Sequence, residues 1–400
     1  MVIAIEGKNF TGRSAYLKKR VSGGGHHDSP VATMTRGTPG AYLGTDAHNY
    51  LSGLLPSVRG ELVLHGFCTS PRREAVEGLL ASAGLPPTAC QNPLTLSGGQ
   101  QVVLALSTAL LSTGTLIAID CSLEQLSPRA RAAVLDVLGR EDSQAKSVIV
   151  DNRLVEFRER VAVEPVDDPV LEPRPSPPRM SWTAVRPQSD VPHLELQDVT
   201  FRYSLHAPLL EALSCRFNPG TVNFIEGPNG VGKSTLGKLL CGILRPSQGN
   251  LLLEGRPWRP WEKPGDVVAY HFQNPDLQLF TTSVARQFGE DVRDITAAFG
   301  LESFLSDHPH NLPFVLRKRI ALAIALARRR PWLILDEPIL GQDDDNARVL
   351  ARILDDAAAM GAGIVVLSHS TWFRSLITRK RTCLLSMQGL KESTPCNRVQ

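Results

Sequence analysis
Short apolar runs, glycine-bearing loops and longer apolar stretches of helical spacing alternate along this chain, and the whole alternation occurs twice. VIAI at 2–5 predicts a strand that runs into the loop EGKNFTGRS and a helix, and NFIE at 223–226 runs into GPNGVGKST in the same way. Later, LSGGQ at 96–100 precedes an apolar helical run and the strand LIAID, while LPFVL at 312–316 precedes IALAIALARRR and the strand LILDE. Asp120 lies 24 residues after Leu96, and Asp336 lies 24 residues after Leu312, so the two registers coincide. A further apolar strand follows at 148–150 and at 365–367. Buried strands joined by helices, one of them ending in an acidic residue, predict a parallel sheet covered by helices in each half.

The repeat also decides how to read the most apolar stretch, 102–119. It contains Ser107, Thr108, Ser112, Thr113, Gly114 and Thr115, short of the run of roughly 20 apolar residues that a membrane span needs. Its counterpart in the second half carries Arg328, Arg329 and Arg330, so a buried helix followed by a buried strand is expected. Between the halves, Pro165, Pro169, Pro173, Pro175, Pro177, Pro178, Pro187 and Pro192 crowd a stretch with little apolar periodicity. Proline fixes the backbone and withholds a donor from any ladder, which predicts a linker.

Composition narrows the picture only a little. The 400 residues leave room for two or three domains. With 43 basic and 40 acidic residues, the net charge of +3 names no polyanionic partner. Seven scattered cysteines without a CxxC pair fit a reducing compartment. The first residues carry no basic segment ahead of a long apolar run, so no secretory signal is expected and a cytoplasmic location is.

Candidate chemistry concentrates in the second half. Gly227, Pro228, Asn229, Gly230, Val231, Gly232, Lys233 and Ser234 satisfy GxxxxGK[ST] between a strand and a helix. In that context backbone N–H groups wrap phosphates, Lys233 reaches the β- and γ-phosphates of ATP, and the Ser234 hydroxyl can hold Mg²⁺. LILDEP at 333–338 ends a buried strand in Asp336, placed for Mg²⁺, and Glu337, placed to orient or deprotonate a water. VVLSHS brings His369 to the end of the next strand, where a neutral imidazole could meet the γ-phosphate.

These motifs resemble those of tandem ATP-binding-cassette (ABC) ATPases, and FQNPDLQLF at 272–280 is especially similar to the ATPase subunits of energy-coupling-factor and cobalt-type importers. The resemblance implies two P-loop NTPase domains with mostly parallel sheets covered by helices, the second with an added antiparallel β subdomain and the first truncated at its N-terminus. The expected layout is a degenerate cassette at 1–164, a linker at 165–192, a cassette with intact phosphate loop and acidic strand at 193–390, and a tail at 391–400. It further implies that Tyr203 stacks on adenine and that Thr235 belongs to the nucleotide site. Gln273 is implied to touch Mg²⁺ and a membrane partner, and Asp343 to be the acidic residue of the loop after Glu337.

In this family two cassettes pack head to tail, each ATP lying between one phosphate loop and the other cassette's LSGGQ. Ser97 would offer a hydroxyl, Gly98 and Gly99 close backbone approach, and Gln100 opens a helix whose positive end faces the γ-phosphate. The second half has lost this signature to Pro313, Phe314 and Val315. The first half keeps it but has Arg13 for the loop lysine, Cys121 for the catalytic glutamate, Asn152 for the histidine, Ser127 for the loop aspartate and Thr45 nearest the glutamine. One complete hydrolytic site and one degenerate site per polypeptide are therefore expected, made within one chain or between two copies.

The function expected is the energising subunit of a membrane importer, peripheral on the cytoplasmic face, with an integral transporter subunit as partner and no nucleic acid. The alternatives are a soluble tandem switch on ribosomes or nucleic acid, against which the linker is poor in basic residues, and a binding-only regulator. Three features are read as structural. His26, His27 and Asp28 sit in a glycine-flanked loop, Arg328–Arg330 end a helix, and RPWRPWEKPG at 256–265 reads as a proline-rich surface turn.

Overall fold
The computed structural model describes residues 2–6, 40–43, 50–52, 54–112, 116–120, 123, 126, 128–139, 146–150, 162–165, 191–203, 208–228, 230–288, 293–312, 314–386 and 389–392. Arg13, His26, His27, Asp28, Thr45, Cys121, Ser127, Asn152, Asn229, Pro313 and most of 165–192 lie outside the described residues. The chain divides into two compact units, Met1–Pro173 and Arg174–Gln400.

In the first unit β1 (Val2–Glu6), β2 (Gly40–Leu43), β3 (Leu116–Asp120), β4 (Lys146–Val150) and β5 (Ala162–Pro165) form a parallel sheet in the order β2-β3-β4-β1-β5. The helices are α1 (Val58–Leu64), α2 (Arg73–Ser82), α3 (Gly98–Ser112) and α4 (Pro128–Gly139). Helix α3 and strand β3 are the helix and strand expected of 102–119. Val102 to Thr108 are all buried along α3. The two polar residues in that run spend their hydroxyls inside the helix, Ser107 donating to Val103 O at 2.8 Å and Thr108 to Ala105 O at 2.8 Å. That back-bonding is what makes polar residues tolerable in a buried helix. No helix among the described residues is long and apolar enough to cross a membrane.

The second unit has two sheets. An antiparallel one joins β6 (Leu194–Phe201), β7 (Leu210–Phe217), β9 (Gln248–Leu253) and β10 (Arg256–Trp258) in the order β10-β9-β6-β7. The other joins β8 (Val222–Glu226), β11 (Val268–His271), β12 (Trp332–Asp336), β13 (Gly363–Leu367), β14 (Lys380–Ser386) and β15 (Gly389–Glu392) in the order β11-β12-β13-β8-β14-β15, parallel except for β15. Its helices are α5 (Lys233–Leu240), α6 (Arg293–Ala298), α7 (Phe314–Ala327), α8 (Asp344–Ala359) and α9 (Thr371–Leu376). Strands β12 and β13 are buried throughout, as an apolar strand covered on both faces must be. Strand β15 runs to Glu392, two residues into the stretch read from the sequence as a tail.

Matched by motif, both parallel sheets have one strand order, with the strand ending in Asp120 or Asp336 second and the strand before the glycine loop fourth. RPWRPWEKPG is at the surface as expected for most of its length, seven of its ten residues being exposed, but it is not all turn and its two tryptophans are half-buried. Residues 256–258 are strand β10, Pro260–Glu262 form a 3-10 turn, and Trp258 and Trp261 pack on the core. Pro260 is buried so closely on Gly242 that a Cβ there would lie 2.4 Å from the proline carbonyl, and Arg245 covers the Trp261 ring at 5.4 Å. Proline density signals a turn but says nothing of what the flanking tryptophans bury.

Candidate active site
The phosphate loop links β8 to α5, and two of its glycines are there for room. A Cβ on Gly227 would sit 2.4 Å from Leu385 O, and Gly232, at φ +104°, would drive one to 2.6 Å from Leu210 Cδ2. Neither place accepts a side chain. Lys233 opens α5 and folds back into the loop, its Nζ donating to Gly227 O at 2.8 Å and to Pro228 O at 3.2 Å. Burial lowers its pKa, with Glu337 and Asp336 acting the other way. The strand feeding the loop is tied down by Arg374 of α9, which donates to Glu226 Oε2 at 2.8 Å.

Asp336 ends β12 and is buried. Its carboxylate accepts from the Ser234 hydroxyl and, at 3.0 Å, from Tyr270 Oη of β11. Burial raises the Asp336 pKa, against those two hydrogen bonds and the charge of Lys318. The next residue turns sharply. Glu337 has φ +43°, an uncommon conformation for a residue with a side chain, and its N–H is fixed on Leu367 O at 2.9 Å. The turn aims its carboxylate at the end of β13, where Ser368 Oγ donates to Oε2 at 2.9 Å and His369 Nδ1 to Oε1 at 2.8 Å. Burial would push this carboxyl up, but His369, Lys233 and Ser368 together hold it below the usual glutamate value. An ionised Glu337 with an oriented imidazole is the arrangement that can activate a water.

Tyr203 follows β6 and is 62% exposed. Its hydroxyl meets Thr235 Oγ1 at 3.0 Å and its ring stands edge-on to Phe201 at 4.9 Å, so an open aromatic face is anchored to the helix that begins at Lys233. Gln273 follows β11, and its backbone carbonyl accepts from Lys318 Nζ of α7 at 2.7 Å. Asp343 caps α8 by accepting from Asn346 N at 3.0 Å. Lys233, Ser234, Thr235, Tyr203, Asp336, Glu337 and His369 thus form one linked constellation in the second unit. Lys318, Tyr270 and Ser368 join it without having been singled out in the sequence.

The LSGGQ corner belongs to the first unit. Ser97 and Gln100 form a reciprocal cap at the start of α3, Ser97 N donating to Gln100 Oε1 at 3.2 Å and Gln100 N to Ser97 Oγ at 3.4 Å. That is the capping-box arrangement, which fixes the corner with Gly98 and Gly99 inside it. At the same register in the second unit, Phe314 packs on the loop at Gly341, where a Cβ would be 3.4 Å from the ring, and Val315 O accepts from Gln342 Nε2 at 3.2 Å. Side chains occupy the position where the first unit has glycines.

The family described as ABC transporter matches residues 210–340. The chain is 32% identical over 221 residues to the energy-coupling factor transporter ATP-binding protein EcfA of Methanocaldococcus jannaschii, covering 50% of this chain and 79% of that one. It is 31% identical over 220 residues to the EcfA of Methanothermobacter thermautotrophicus, covering 50% and 71%. A putative ABC transporter ATP-binding protein of Enterococcus faecalis is 23% identical over 377 residues, covering 76% and 66%. Among solved structures, cbiO1 from Clostridium perfringens, part of the ABC transporter complex cbiONQ, aligns at a TM-score of 0.43 and 26% identity over 49% of this chain and 86% of that one. The matched segment contains the phosphate loop, Gln273, Asp336 and Glu337. The chain belongs to the ABC transporter family of ATPases.

Proposed function
We propose that this ATPase energises a membrane importer of the energy-coupling-factor type, with one competent and one degenerate composite ATP site. The observation that carries the reading is the division of chemistry. The linked set of Lys233, Ser234, Asp336, Glu337 and His369 lies in the second unit, whose signature position is filled by Phe314 and Val315, and the capped LSGGQ corner lies in the first. The competent site pairs the two, within one chain or between two copies. The other pairing, with Arg13, Cys121 and Asn152, has no carboxylate to activate water. The shared strand order of the two parallel sheets supports a tandem of cassettes. So does the Enterococcus alignment, whose 76% of the chain exceeds what either unit alone contains.

Magnesium fits the donor set of the second unit. Asp336, Ser234 and Gln273 offer a carboxylate, a hydroxyl and an amide oxygen, all hard ligands, and the raised pKa of buried Asp336 is what a cation relieves. Bound there, the ion supplies charge to the β- and γ-phosphates. Lys233 holds the same phosphates, Tyr203 stacks on adenine, and Glu337, oriented by His369, takes the proton of the attacking water.

Among the described residues, the most exposed large apolar side chains are Leu54 in the first unit, at 85%, and Phe280 in the second, at 82%. Each stands four residues before a fully buried valine, Val58 or Val284, and that valine follows a serine in both. Phe280 ends the segment that holds Gln273, and an exposed apolar group there, repeated by Leu54 in the other unit, suits docking to an integral membrane protein at the cytoplasmic face. Purification from membranes is expected to bring down one integral protein, and Phe280→Asp to release it without loss of ATP binding. Recovery with ribosomes or as a soluble chain alone would instead favour the soluble switch. Ser97→Arg should lower hydrolysis as much as Lys233→Ala although the two residues lie in different units, and independence of the two would refute the composite site.

A further inference from the structure
We infer that Lys318 is a positioning residue of the hydrolytic site, tying the Gln273 loop to the strand that carries Asp336. This rests on the reading of Gln273 and Asp336 as nucleotide-handling residues. Lys318 lies in the fifth position of α7, within the helix that follows the lost signature, and its side chain is wholly buried. Its ammonium donates to three backbone carbonyls, Phe272 O at 3.1 Å, Gln273 O at 2.7 Å and Asp336 O at 3.4 Å. Two come from the loop after β11 and the third from the end of β12. One cation therefore spans the gap between neighbouring strand ends where the two proposed magnesium ligands sit.

Packing alone does not require a lysine there. Six residues after Leu96 the same register position is Val102, fully buried in α3. A helix in this setting thus accepts an apolar residue, and burying an ammonium is unfavourable unless its donors are satisfied. Burial does pull the Lys318 pKa down, with Asp336 and Glu337 opposing it. The cation occurs in the unit that has Glu337 and is replaced by valine in the unit that has Cys121. The Gln273 loop is also braced by Gln278, whose Oε1 accepts from Phe272 N at 2.8 Å and whose Nε2 donates to Ala321 O at 3.3 Å, and by Arg317, which pairs with Asp276. These braces all lead to α7, and Lys318 joins that helix both to the loop and to the acidic strand.

The test uses the full chain and the variants Lys318→Met and Lys318→Gln, with steady-state hydrolysis, titration with a fluorescent ATP analogue, and amide hydrogen exchange. Lys318→Met is expected to lower kcat by about 10²-fold, as misplacement of catalytic groups by an ångström does. Nucleotide affinity should stay within about twofold, because the phosphate loop keeps its own contacts. Exchange at 272–280 should accelerate while 222–240 is unchanged. Lys318→Gln, which retains a shorter donor, should fall between Met and wild type. A Lys318→Met chain with wild-type kcat and exchange would overturn the inference. So would variants that both lose nucleotide binding and cooperative unfolding, since Lys318 would then be a general stabiliser. Failure of the underlying site reading appears separately, in a Lys233→Ala chain that still hydrolyses ATP, and the exchange at 272–280 still decides the role of Lys318.

Discussion

Gly363 opens β13 and pairs with Trp332 of β12 across the centre of the catalytic sheet. Its backbone is not left-handed, so conformation does not demand glycine; contact does. A Cβ at 363 would lie 2.3, 2.4 and 2.5 Å from Trp332 Cδ2, Cε2 and Cε3. Trp332 is fully buried and its Nε1 donates to Pro192 O at 2.8 Å. In Gly363→Ala the ring must withdraw by about 1 Å to reach ordinary van der Waals separation. Overpacking of this kind costs about 1–3 kcal/mol, and detaching the indole N–H from its carbonyl adds about 1–3 kcal/mol. A loss of about 2–6 kcal/mol should lower Tm by roughly 4–24 °C for a unit of this size. The assay is thermal and urea unfolding followed by tryptophan fluorescence, with the transition of the second unit recognised by its shift on adding ATP. Trp332→Phe should accept the methyl group, so the double variant should be at least 1 kcal/mol more stable than additivity predicts. Gly363→Ala within 0.5 kcal/mol of wild type, or strictly additive behaviour, would refute the packing argument.

Tyr203→Ala should weaken ATP binding by about 10- to 100-fold, the worth of one base stacked on an aromatic ring, with a much smaller change in kcat. Thr235→Val, which removes only the hydroxyl that anchors Tyr203, should weaken binding by about 2- to 10-fold, and both are read by nucleotide titration. Burial pushes the Cys241 thiol up to about 11, while Cys68 and Cys90 are exposed. Mass spectrometry after brief alkylation at pH 8 should therefore find 68 and 90 modified well before 241, and comparable rates would contradict the packing around α5. Because the Glu337 pKa is depressed in the folded state, its contribution to stability is present above the ordinary carboxylate value and is lost as pH falls through the lower folded one. The stability of Glu337→Gln relative to wild type should accordingly recover only in that acid window, as measured by urea unfolding against pH.

Much of this architecture is legible because identical spacing implies identical register. Helices α3 and α7 each begin two residues after the leucine of LSGGQ or LPFVL, and each leucine follows a 3-10 turn, Pro93–Thr95 or Pro309–Asn311. The phosphate loop, Asp336, Glu337 and His369 are legible because their chemistry forces residue types at fixed distances from strand ends. Tyr270 and Lys318 carry no such signature. Tyr270 reads as one more aromatic in a strand, and its bond to Asp336 depends on β11 lying beside β12. Lys318 reads as part of the basic cluster RKR at 317–319, and only its burial beneath two strand ends separates it from a solvated lysine. The half-burial of Trp258 and Trp261 is illegible for the converse reason, since local proline content does not encode the distant core they pack on or the Arg245 that covers Trp261.

The central claim is that hydrolysis belongs to a single carboxylate in the second unit. Steady-state ATP hydrolysis by the full chain, compared between Glu337→Gln and Cys121→Ala, tests it most directly. The account predicts that Glu337→Gln lowers kcat by about 10³-fold, within the range for loss of a general base, while Cys121→Ala stays close to wild type. Equal losses in the two variants, or a Glu337→Gln chain that still turns over, would contradict it.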